Sequence, residues 1–170
     1  MTAEQARTLE ALQIAIQMEI NGQKYYRKAS QESSNELGKK LLESLAAEED
    51  IHRRKFEEIY NAIRNQKAWP VTDFQPDKGR RLRSVFARIA EETGTWVKMG
   101  DTELQAVQTA MDMEKRSHDF YQGQRKEATH DAERGFYETV AAEEREHHIV
   151  LLDYYEFLKD PVGLFVMKEH

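Results

Sequence analysis

The stretch AAEEDIH at 46–52 comes back as AAEEREH at 141–147, and the correspondence runs much further than seven residues. Moving the sequence 95 positions along itself places Glu19 on Glu114, Glu49 on Glu144 and His52 on His147. The same register pairs Ala15 with Ala110, Met18 with Met113, Tyr26 with Tyr121 and Tyr60 with Tyr155, with no gap. A chain built this way folds as two copies of one supersecondary unit. The apolar spacing says what the unit is, and the polar residues caught in that spacing say what it does.

Each half carries two long patterns of helical period. In the first, Leu9, Leu12, Ile16, Glu19 and Tyr26 share a face, copied by Leu104, Val107, Met111, Glu114 and Tyr121. The second runs Leu37, Leu41, Leu45, Glu49, His52, Phe56, Ile59 and Ile63. Its copy is Ala132, Phe136, Val140, Glu144, His147, Leu151, Tyr154 and Leu158. Polar breaks, SQESSN at 30–35 and KEATHD at 126–131, close each pair into a hairpin and offer capping residues to the following helix.

The spacing predicts hairpin 1 over about 4–63 and hairpin 2 over about 102–159, in a single domain spanning 1–170. Between them, about 64–101, lies a crossover that opens as the extended stretch WPVTDFQPDKG. It continues as RRLRSVFARIAEE, where Leu82, Val85, Phe86 and Ile89 mark one face of a short helix. Pro161 ends the last helix and leaves a short C-terminal tail for docking. The expected fold is all-α, a four-helix bundle of two repeated hairpins joined by a long crossover.

Composition fits that fold and narrows the partners. The 170 residues suffice for a real core, and 39% hydrophobic with 33% charged residues suits a well-solvated helical protein. A net charge of −6 and the lack of a basic stripe argue against a nucleic-acid partner. No apolar run approaches the roughly 20 residues that cross a bilayer. The N-terminal MTAEQARTLEALQ has no signal-peptide core, so the expected location is cytoplasmic, without membrane attachment. The absence of cysteine excludes disulfides and thiolate metal sites.

Four glutamates and two histidines thus fall on faces that should be buried: Glu19, Glu49, His52, Glu114, Glu144 and His147. A single Glu-x-x-His on a helix is ordinarily an ion pair, or lies on a face turned to water. Four carboxylates in one core are a different case, because without counter-charge they repel and some must take up protons. Two divalent cations supply the missing charge. Residues i and i+3 project from one helix face, so Glu49 with His52 can grip one ion and Glu144 with His147 its neighbour. Glu19 and Glu114 can close the outer sides, a constellation of di-iron and di-manganese bundles. Such carboxylate-rich ligation suits iron or manganese better than copper.

With these residues the chain resembles the ferritin-like superfamily, and within it the rubrerythrin-type di-iron carboxylate proteins. The resemblance rests on Glu19, Glu49-x-x-His52, Glu114 and Glu144-x-x-His147, with Tyr26 and Tyr121 two turns beyond the first-helix glutamates, and covers about residues 5–158. It implies two iron ions, Fe2+/Fe3+, with manganese as the other candidate. Glu49 and Glu144 would bridge them, Glu19 and Glu114 would be terminal, and His52 and His147 would give one nitrogen each. It further implies a homodimer and a non-haem di-iron oxidoreductase that reduces hydrogen peroxide or dioxygen in oxidative-stress protection. The alternative within the superfamily is a ferroxidase or iron-binding protein without peroxidase activity.

The chain departs from the family in two places. Typical members add a four-cysteine rubredoxin module, whereas this chain has no cysteine and resembles the erythrin domain alone. Its electron donor would then be a separate protein. The seventh carboxylate usual in rubrerythrins is also missing, since Ala110, Met111, Ser117 and His118 stand one turn from Glu114. The set is closer to the symmetrical one of bacterioferritin, although that protein's haem-binding Met is replaced here by Asp50.

Tyr26 and Tyr121 either hydrogen-bond ligand carboxylates from facing helices or simply fill the core. His118 falls on the core stripe at i+4 from Glu114, opposite Gln23 of the first half. It reads either as an additional ligand or proton donor near the metals, or as a hydrogen-bonded histidine without function. Glu48 and Glu143 point to the next helix face and read as solvated or salt-bridged.

Overall fold

A computed structural model describes residues 1–71, 74–93 and 101–161, the side chains of Thr93 and Asp101 excepted. Among them are five helices and no strand: α1 (Ala3–Glu32), α2 (Glu36–Arg64), α3 (Arg80–Thr93), α4 (Asp101–Glu127) and α5 (Asp131–Lys159). Residues 72–73 and 94–100 of the crossover, and the tail 162–170, lie outside the described residues.

The helix starts follow local chemistry. Thr2 and Gln5 form a reciprocal capping box on α1, with backbone-to-side-chain bonds of 3.0 and 3.1 Å. Asn35 caps α2 by accepting from Gly38 N at 2.7 Å. The break before α5 departs from the expected capping: His130 holds the cap position and makes no side-chain cap bond. Asp131 and Glu133 place negative charge in that first turn instead, where the exposed N–H groups favour it. At its other end α5 stops at Lys159, because Asp160 precedes Pro161 and is pushed off helical geometry.

α1 packs on α2 and α4 on α5, while α1 meets α4, α2 meets α5, and α3 lies against α2 and α5. The helix expected within the crossover is α3, which buries Leu82, Phe86, Ile89 and Ala90, with Val85 packed half-buried beside them. Two apolar clusters fill the interior. One is built around Leu41, Leu45, Ala110, Val150 and Leu151; the other around Leu12, Phe56, Tyr121, Phe136 and Tyr137. Each long helix contributes to both, and in each one the acidic and histidine positions fall between its two contributions. The order of the clusters along the chain makes α1 and α5 run one way and α2 and α4 the other.

The apolar stripes are slightly rotated from the expected ones. Ala11 and Ala15 face the core centre, while Leu9, Ile16, Leu104, Met111 and Ile63 are half-buried at its margins. Ala132 is exposed, and Glu133 is the buried residue of that turn. Small side chains at the centre of α1 let the neighbouring helices approach closely, which moves bulkier residues to the flanks.

Candidate metal centre

Six polar side chains meet in the layer between the clusters, contributed by four helices: Glu19 (α1), Glu49 and His52 (α2), Glu114 (α4), Glu144 and His147 (α5). None is more than 3% exposed. Their contacts obey the twofold pattern of the repeat. His52 Nδ1 lies 2.9 Å from Glu144 Oε1 and 3.6 Å from Glu19 Oε2. His147 Nδ1 lies 2.9 Å from Glu49 Oε1 and 3.3 Å from Glu114 Oε1. Each histidine thus faces a carboxylate of the opposite hairpin.

These close approaches lack hydrogen-bond alignment. Glu49 Oε1, Glu144 Oε1, Glu19 Oε2, Glu114 Oε2 and both nitrogens of each imidazole are buried without a hydrogen-bond partner. Leaving so many orphans in one place is costly unless something else binds them. Two groups of four could each hold an ion: Glu19, Glu49, His52 and Glu144, and Glu49, Glu114, Glu144 and His147, each with one ligand atom per residue mutually within 4.8 Å. Glu49 and Glu144 belong to both. The donor set of carboxylates and imidazoles fits two adjacent divalent ions sharing two carboxylates.

Without an ion, protons do the balancing. Burial, with the charges of the surrounding glutamates, pushes Glu49 and Glu144 well above the ordinary carboxyl range. Burial also works against ionised Glu19 and Glu114, but it is outweighed. Hydrogen bonding with Glu49 and the charge of His52 lower Glu19, while the His147 charge and hydrogen bonding with Glu144 bring Glu114 to about 2. Burial opposes charge on the histidines as well, yet Glu19 raises His52, and Glu114 and Glu144 bring His147 to about 9. The metal-free surroundings thus favour protons on Glu49 and Glu144 and charge on both histidines, which places protons on the atoms a metal would need.

The surroundings hold these groups in place. Tyr26 OH donates to Glu114 Oε1 and Tyr121 OH to Glu19 Oε1, each at 2.5 Å, so each tyrosine reaches across to the other hairpin. Gly22 makes room for Glu49, since a Cβ there would stand 3.1 Å from Glu49 Oε2. The His52 and His147 rings are parallel within 7°, with centroids 5.5 Å apart. Phe74, from the crossover, sets its edge against His52 at 5.5 Å. Sequence periodicity gave no sign that this loop residue touches the centre.

His118 and the outer glutamates are placed differently from their sequence reading. His118 is half-exposed, not on the core face, and its Nδ1 lies 3.3 Å from Asp119 Oδ1. It lines a surface cavity of about 340 Å³ with Glu114, Glu144 and His148. Its counterpart Gln23 donates to Asp50 Oδ1 at 3.0 Å and so ties α1 to α2. Glu143, read from the sequence as solvated or salt-bridged, is only 3% exposed, and Glu48 is half-buried. With His52 and His147 they form a further close group. Because i and i+4 share a helix face, the spacing of Glu48 to His52 and Glu143 to His147 was the available signal.

No curated protein matches the chain, and no solved structure matches it. Residues 10–155 match the rubrerythrin family model, a span that holds all six central residues as well as Tyr26, Tyr121 and Phe74. The chain belongs to the rubrerythrin family.

Proposed function

We propose that this protein is a non-haem di-iron oxidoreductase that reduces hydrogen peroxide or dioxygen, with Glu19, Glu49, His52, Glu114, Glu144 and His147 as the iron ligands. The observation that carries the proposal is the pair of four-residue groups sharing Glu49 and Glu144, whose buried oxygens and nitrogens lack hydrogen-bond partners. Family membership favours iron in that centre, and the all-helical architecture fits a ferritin-like bundle. Manganese would suit the same donors.

A ferrous pair held there supplies two electrons to one small oxidant. The remaining work falls to the chain. Glu49 and Glu144 lie where both ion positions can use them, and Glu19 and Glu114 close the two ends. Tyr121 and Tyr26 clamp one oxygen of each end carboxylate and leave the second oxygen for the ion. The apolar clusters above and below exclude bulk water and strengthen electrostatic interactions inside. These 170 residues hold no cysteine to relay electrons, and the proposal assigns that task to a separate donor protein. The family reading carries a homodimer with it.

One observation favours the alternative of iron handling by a ferroxidase. The seventh carboxylate is missing, and His118, one turn beyond Glu114, is paired with exposed Asp119. The two readings part on adding one equivalent of hydrogen peroxide to anaerobic Fe(II)-loaded protein. Oxidation of both irons within seconds, with about one peroxide consumed per pair, supports the peroxidase. Slow reaction with peroxide and fast oxidation by O2 supports iron handling.

A further inference from the structure

The two sides of the centre are copies in sequence, yet one is bridged and the other is open. On the first side Gln23 Nε2 donates to Asp50 Oδ1 at 3.0 Å, and Arg53 donates to the same oxygen at 2.8 Å. This bridge ties α1 to α2 one turn beyond Glu19 and next to Glu49 in the chain. Moving 95 positions along replaces Gln23, Asp50 and Arg53 by His118, Arg145 and His148. Arginine only donates, so the acceptor at the middle of the bridge is gone. His118 turns instead to its neighbour Asp119, 3.3 Å from its Nδ1.

Where the second bridge would be lies the cavity of about 340 Å³ between α4 and α5. One water takes about 30 Å³ of liquid, so a small molecule has ample room there. The deepest lining residues are Glu114 and Glu144, 3% and 1% exposed, and Glu114 Oε2 and Glu144 Oε1 have no hydrogen-bond partner. Four other surface cavities touch none of the six central residues. The outer wall carries exposed Lys115 and Arg145 against one acid, Asp119. A mouth of that sign repels a divalent cation and admits small neutral or anionic molecules.

We propose that the cavity between α4 and α5 is the port through which hydrogen peroxide, and not ferrous ion, reaches the centre, with His118 and His148 lining the passage. The inference rests on the reading of the centre as a metal pair that reacts with peroxide. Peroxide is small and uncharged, and imidazole offers it both a donor and an acceptor.

The test compares the wild-type chain with two variants. H118Q/R145D/H148R writes the bridge of the first side into the second, and His118→Trp fills the cavity without adding charge. Each protein is loaded with Co(II) as the probe metal. Entry of azide, a small ligand standing in for peroxide, is followed by stopped-flow absorbance of the cobalt. All three proteins are expected to hold two Co(II) ions. Both variants should slow azide association about 10-fold or more, with dissociation slowed equally so that Kd holds. The rate of Co(II) loading should not change. Unchanged azide association in both loaded variants would overturn the port while leaving the two-metal centre standing. Slowing in H118Q/R145D/H148R alone would also overturn it, because charge and not passage would then set the rate. Slower Co(II) loading with unchanged azide entry would make the cavity the route of the metal instead. A wild type that binds no metal pair would remove the centre itself, and this inference with it.

Discussion

At the scale of single residues, the centre exchanges protons for ions. Metal binding needs Glu49 and Glu144 ionised and both histidines neutral, the reverse of what their metal-free surroundings favour. Loading near pH 7 should therefore release one or more protons per chain, that of His147 among them, and apparent affinity should rise with pH. Calorimetric titration in buffers of different ionisation enthalpy measures that count. The metal-free protein has its own pH dependence. His147 is raised from 6.5 to about 9, so its contribution to stability is full below pH 6.5 and is lost as pH rises through 9. Raised Glu49 and Glu144 act in the same direction, whereas Glu114, lowered from 4.5 to about 2, loses its contribution only as pH falls toward 2. The melting temperature of the metal-free protein should thus fall between pH 6.5 and 9, and that of the loaded protein should fall less. Tyr121→Phe would leave Glu19 Oε1 buried without its donor and cost about 1–3 kcal/mol in urea unfolding of the metal-free form.

At the scale of elements, the hairpin turn between α1 and α2 is locked to the start of α4. Glu103 accepts from Ser33 and Tyr154 at 2.6 Å each, and Ser34 N donates to it at 3.2 Å. Gly38 sits beneath that knot, where a Cβ would press on Ser33 Oγ and the Tyr154 hydroxyl. Gly38→Ala should therefore destabilise the fold by about 1–3 kcal/mol through overpacking, read as a lower midpoint in thermal unfolding. Much at this scale was legible in the sequence. The apolar period of four long helices and the Leu82 to Ile89 face of α3 needed no long-range information. What periodicity misses is rotation of a stripe by part of a turn. That rotation puts His118 half in solvent beside Asp119 and brings Glu143 inside, although both lie close to their expected faces. Phe74 was illegible for another reason: its place beside His52 depends on the path of an irregular segment, which has no period to read.

At the scale of the whole molecule, the repeat explains why six ionisable residues can be buried at all. Each hairpin brings half of a charge set, and each half is completed by the other across the α1–α4 and α2–α5 faces. Ions at the centre therefore bind the folded protein and not the unfolded chain. Metal at a free concentration about 100 times Kd should add about 2.7 kcal/mol of stability, seen as a rise in melting temperature that a chelator reverses. The account stands or falls on ions shared between Glu49 and Glu144. The direct measurement is an anaerobic Fe(II) titration of the wild-type chain and of Glu144→Ala, with bound iron counted after gel filtration. Two irons per chain in the wild type and fewer than two in the variant are predicted, since both four-residue groups lose a member. No bound iron in the wild type, or two retained in Glu144→Ala, would contradict it.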